Sequence, residues 1–179
     1  LLLGIVYYMG GALVDPDVAQ WTPWQATGIG LGAIIAGWVV YDLLWSSPLA
    51  KHETLGAVIS YALIVAAAYG LSRVFSGRGA YIHVGAILGT LMTLNVWMRI
   101  LPAQKKMVAA LAAGRAPDLT LGARAKQRSK HNTFMVVPVV FTMISNHFPI
   151  ATYGDKYAWI ILVVLVLVGW GAAAAIRRA

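Results

Sequence analysis

Apolar residues fall along this chain in blocks of about twenty, separated by short polar breaks. Ala26 to Trp45, Thr54 to Leu71, Tyr81 to Leu101, His131 to Phe148 and Tyr157 to Ile176 each read as such a block. About 20 helical residues cover the ~30 Å hydrocarbon core of a bilayer. A helix satisfies its own backbone hydrogen bonds there, and no stretch shows the alternation of a barrel strand. The pattern therefore predicts an all-α, polytopic transmembrane helix bundle with five full spans. Leu1 to Val14 is apolar but too short to cross alone, and reads as the end of a partial N-terminal span. Pro138 lies inside the fourth span, where a proline is expected to kink the helix.

Composition supports the same picture. Of 179 residues, 60% are hydrophobic and only 11% charged, whereas a soluble domain carries about a quarter charged residues. The length accommodates a single membrane domain, residues 1–179. The chain contains no cysteine, so it holds no disulfide, no thiolate nucleophile and no covalent c-type haem. The net charge of +8 would suggest nucleic acid in a soluble protein, but here it is explained by topology. The longest polar segment, residues 102–130, carries seven basic residues against one acid, Asp118. Placing it in the cytoplasm puts 11 of the 14 Lys and Arg inside, which satisfies the positive-inside rule. Within it, Ala103 to Ala113 reads as a short helix after Pro102, stopped near Gly114.

Polar residues at membrane depth are costly, which makes them the place to look for function. Asp42 is expected to pair with Arg99 or Lys51. Asn95, Asn132, Ser145 and Asn146 are the other intramembrane polar groups. The four histidines form two pairs by depth: His52 with His131 near the inner face, and His83 with His147 near the outer. Imidazoles on facing helices can grip a b-type haem. These four are the candidate axial ligands, with His83 and His147 the preferred iron pair and His52 the weakest. Asn132 and Asn146 are candidate second-layer groups that would orient a ring or substrate. His131 and His147 are sixteen residues apart, ~24 Å of rise and ~160° around a straight helix, which suits two separate sites. Glycine stripes at Gly28, Gly32 and Ala36, and at Gly85 and Gly89, predict close helix contacts.

One stretch carries a family resemblance. His83 is followed by Gly85, Gly89 and Thr90, then Asn95-Val96, then Pro102 and Gln104. After the basic segment come Arg128-Ser129, His131-Asn132, Pro138-Val139, Phe141, Met143 and the run Ser145-Asn146-His147 before Pro149. This pattern resembles the membrane domain of the bacterial membrane-bound urate oxidase (urate hydroxylase, cytochrome c urate oxidase) family over about 70 residues. The resemblance implies an integral oxidoreductase or electron-transfer subunit of the bacterial inner membrane, with a cytochrome electron acceptor or other complex subunits as partners besides the lipid. It assigns no catalytic residue to this chain. The alternative is a non-catalytic structural or assembly subunit of a larger respiratory or photosynthetic complex. A transporter ranks below both, since Pro138 is the only strong helix break and no inverted repeat is visible.

Overall fold

A computed structural model describes residues 13–15, 17–154 and 157–177, except for the side chain of Asn146. The described residues contain six principal helices and no strand. They are α1 (Pro23–Ser46), α2 (Glu53–Ser72), α3 (Gly77–Leu94), α4 (Leu101–Ala112), α5 (Leu119–Ile144) and α6 (Ala158–Ile176). The partial span expected at residues 1–14 lies almost wholly outside the described residues.

Local chemistry sets the helix ends. Thr22 and Gln25 form a reciprocal capping box at the start of α1, with Pro23 at the first helical position. Ser47 closes α1 and opens a short 3₁₀ turn, Pro48–Lys51, that leads into α2. The Ser76 side chain caps α3 by accepting from the Gly79 N–H at 3.1 Å. Between α3 and α4 the chain stays helical but widens into a π turn, Asn95–Ile100. Pro102 is the physical reason: it has no N–H for the Met98 carbonyl and its ring crowds that carbonyl, so the helix loosens just ahead of it.

The basic segment expected as a loop at 102–130 is mostly helical. α4 stops at Gly114, whose φ of +68° is the left-handed conformation that glycine adopts without strain. Asp118 then caps α5, accepting from the Thr120 N–H at 2.8 Å. The fourth span, expected at 131–148, therefore belongs to a helix that begins at Leu119. Residues 145–147 form a 3₁₀ turn after it, followed by one helical turn at Pro149–Thr152.

Four helices among the described residues are long and apolar enough to cross a membrane: α1, α2, the continuous rod Gly77–Ala112 and α6. The fourth of the five anticipated spans, which falls in α5, is not among them, because the first half of that helix carries Arg124, Lys126, Arg128 and Lys130. It is amphipathic rather than uniformly apolar, and buries Ala125, Arg128, Met135, Pro138 and Thr142 along one face.

α3 is the central helix, packed on α1, α2 and α5, while α5 also packs on α6. Tyr81, Leu88, Phe75 and Leu162 are fully buried. Gly85 permits the α3–α5 contact: a Cβ there would sit 2.3 Å from Thr142 Oγ1. Gly169 likewise lets α6 approach Pro138. The other expected stripes do not mark contacts. Gly28, Gly32 and Gly89 have nothing within 4 Å of an added Cβ, so these positions face open space. α1 and α2 barely touch each other, although both lean on α3.

Candidate functional site

The largest polar assembly lies where α1, the π turn and α5 meet. Its anchor is Asp42, which receives two guanidinium groups. Arg99 binds it through two nitrogens, Nε to Oδ1 at 2.9 Å and Nη2 to Oδ2. Arg128 Nη2 reaches Oδ1 at 3.0 Å and also donates to Ser46 Oγ at 3.2 Å. Arg99 is the partner expected for Asp42 and leans to the outside of the bundle. Arg128 is 4% exposed, and its guanidinium lies 4.9 Å from the centre of the Tyr41 ring.

From Arg128 the hydrogen bonds run in one direction. Its Nη1 donates to Asn95 Oδ1 at 3.5 Å. This fixes the Asn95 amide, whose Nδ2 then donates to the Tyr41 hydroxyl and to Asn132 Oδ1, both at 2.9 Å. Asn132 completes its own set by donating to the Met92 carbonyl at 3.0 Å. The Tyr41 hydroxyl, which accepts from Asn95, lies 2.8 Å from His131 Nδ1, the acceptor available for its own hydrogen. With Nδ1 accepting, the neutral His131 ring carries its proton on Nε2. A buried network of this kind holds its geometry because breaking any bond strands a polar group.

His131 Nε2 makes no hydrogen bond to the described residues. The ring packs on Trp45 at a centroid distance of 4.1 Å, and Trp45 Nε1 donates to Ser60 Oγ on α2 at 3.1 Å. His131 also forms part of the wall of a groove of about 1060 Å³. This groove is the gap between α1 and α2, closed behind by α3, α5 and α6 and open on the outside of the bundle. Its walls are mostly aliphatic and aromatic, and its polar groups gather toward the Glu53 end. Lys130 is held there by Glu53 at 2.6 Å.

The remaining predicted site residues are dispersed. His83 is buried at 1% exposure, stacked on Phe75 at 4.2 Å, with Nδ1 2.7 Å from the Gly79 carbonyl. His147 is exposed in the 3₁₀ turn after α5, and His52 is exposed at the start of α2. Asn132 is inside the network, while the side chain of Asn146 lies outside the described residues. Among the described residues, no group of three or more His, Asp or Glu is placed to hold a metal ion.

Neither His52, His83 nor His147 lines the large groove. His131 does.

Sequence reasoning missed Tyr41 and Arg128 as site residues. Arg128 was counted among the charges of a loop. The signal that reveals it is the spacing Arg128, His131, Asn132, which places all three on one face once the helix is known to continue through them.

The fold and this buried junction define a polytopic α-helical protein of membrane type whose polar groups converge between three helices. A family model, Urate oxidase N-terminal, matches residues 1–178. The chain belongs to that family. No curated protein and no solved structure matches it.

Proposed function

We propose that the chain is the membrane module of a urate-oxidising oxidoreductase and passes reducing equivalents to an acceptor. The reading rests on one observation, the directed hydrogen-bond file from Arg128 through Asn95 and Tyr41 to His131, whose last N–H faces a groove open to the bundle's surroundings. A purely structural junction would close that file on a protein acceptor. In a bilayer the groove is reached from the lipid, and the basic face of α4 and α5 lies on the cytoplasmic side with the C-terminus. The acceptor is a cytochrome or a carrier in the membrane.

The test uses the full chain with whatever partner domains accompany it, reconstituted in nanodiscs with urate and oxidised cytochrome c. Urate-dependent cytochrome reduction is expected in the parent protein. Tyr41→Phe and His131→Leu, each checked for intact helicity, are expected to slow it at least tenfold. If folded parent protein transfers no electrons from urate, the reading is lost, and the chain is a structural subunit that keeps the polar junction only to hold α1, α3 and α5 together.

A further inference from the structure

We infer that the groove between α1 and α2 is a binding site for a long-chain quinone, with His131 Nε2 donating to a ring carbonyl. This rests on the functional reading above, and names the carrier that would use the same site. Three observations single out this occupant.

The first is the sign of the groove's polar groups. His131 offers an N–H with no partner among the described residues. Trp170, also on the groove wall, has a buried Nε1 with no hydrogen-bond partner. Trp170 Nε1 is shut away from the groove's open space, which leaves the uncharged His131 ring as the donor there. The groove's cation, Lys130, is already bound to Glu53. The site therefore asks for uncharged acceptors rather than a phosphate or carboxylate head. A quinone carries two carbonyls on one ring.

The second is depth. Trp45 covers His131 and is bonded to Ser60, while Trp170 packs on Tyr61, its ring centroid 5.8 Å away. Ser60 and Tyr61 are neighbours on α2, so Trp45 and Trp170 meet the same turn of that helix. Trp45 beside His131 supplies an aromatic surface at that level, which suits a flat ring.

The third is length. Along α2 the groove is lined from Glu53 to Gly70, ~26 Å at 1.5 Å per residue, and beyond Ser60 its α2 lining is apolar: Leu63, Ile64, Ala67, Gly70. A polar head end followed by a long apolar channel that opens sideways accepts an isoprenoid tail directly from the lipid.

Isothermal titration of the full chain in nanodiscs would test this, with a decyl benzoquinone as probe and decylbenzene as the matched control lacking carbonyls. Saturable one-to-one binding of the quinone is expected, at least tenfold tighter than decylbenzene. His131→Leu is expected to weaken the quinone at least tenfold and leave decylbenzene unchanged. Ala36→Trp, which fills the channel away from the polar junction, should weaken both, and it carries the test if His131→Leu does not fold. Equal affinity for the two probes would mean a lipid-filled crevice and overturn the inference, as would no saturable binding to folded parent protein. Quinone binding without urate-dependent electron transfer would remove the functional reading and leave this site standing. Electron transfer without quinone binding would do the reverse.

Discussion

Asp42 holds two arginines, and the structure predicts that they contribute very unequally. Replace each in turn by methionine, which keeps most of the side-chain volume. The Arg128 side chain is 5% exposed and the Arg99 side chain 43%. Removing one member of a buried pair usually costs ~3–5 kcal/mol, because the partner is left uncompensated. Here Asp42 keeps Arg99, so Arg128→Met falls at the low end, about 3 kcal/mol. Part of that is the stranding of the buried Asn95 Oδ1, which loses its donor. Arg99→Met removes a solvent-screened pair and should cost less than ~1 kcal/mol. Equilibrium unfolding in mixed detergent micelles measures both. A double-mutant cycle of Arg128→Met with Asp42→Asn should return a coupling of at least ~1 kcal/mol, since the two side chains share a direct bond. An Arg99 variant as destabilised as the Arg128 variant would refute the reasoning: the pair at the edge, not the buried one, would then hold the junction.

Three further outcomes follow from named contacts. Gly85→Ala places a Cβ 2.3 Å from Thr142 Oγ1 and should cost ~1–3 kcal/mol by forcing α3 from α5, whereas Gly89→Ala meets nothing within 4 Å and should be neutral or gain up to ~1 kcal/mol in the same unfolding assay. Tyr41→Phe removes the hydroxyl between Asn95 and His131, so ¹⁵N imidazole shifts should show the parent ring protonated on Nε2 and the variant as a mixture of tautomers. At the start of α5, the Thr120 hydroxyl and then its backbone N–H hold the exposed Asp118 carboxyl below its ordinary value of 3.8. Its cap is thus intact above pH 3.8 and weakens as pH falls through the lower folded value, so amide exchange in the first turn of α5 should accelerate there, and Asp118→Ala should abolish that pH dependence.

The apolar spans were legible because uniform hydropathy needs no partner to be recognised. α1, α2, α3 and α6 stand close to where their patterns placed them, and Asp42 found Arg99 because two opposite charges at one depth leave few alternatives. What the sequence concealed was α5. Its buried face runs through Ala125, Arg128, Met135 and Thr142 at helical spacing, but an arginine occupies a core position and lysines flank it. Read as charges, residues 119–130 look like a loop; read by periodicity, they continue the helix. The directions of the histidines were hidden for a related reason. Matched depth says nothing of direction around a helix, and only the fold shows that His83 turns into the core against Phe75 while His147 ends in an exposed turn.

The same helix connects the junction's stability to its chemistry. Arg128 and His131 are three residues apart, so one turn of α5 carries both the ion pair with Asp42 and the imidazole on the groove wall. α5 is not apolar enough to be held by hydrophobic burial alone along its first half. Its seat there is the Asp42–Arg128–Asn95 bonding, supplemented by Gln127 donating to the Ala50 carbonyl at 2.9 Å and Lys130 bound to Glu53. A rotation of α5 that relieved Arg128 would carry His131 out of register with Tyr41 and Trp45. The polar junction therefore sets the direction of the His131 ring, and Arg128, the most buried charge among the described residues, acts on the groove through geometry, not through contact with what the groove holds.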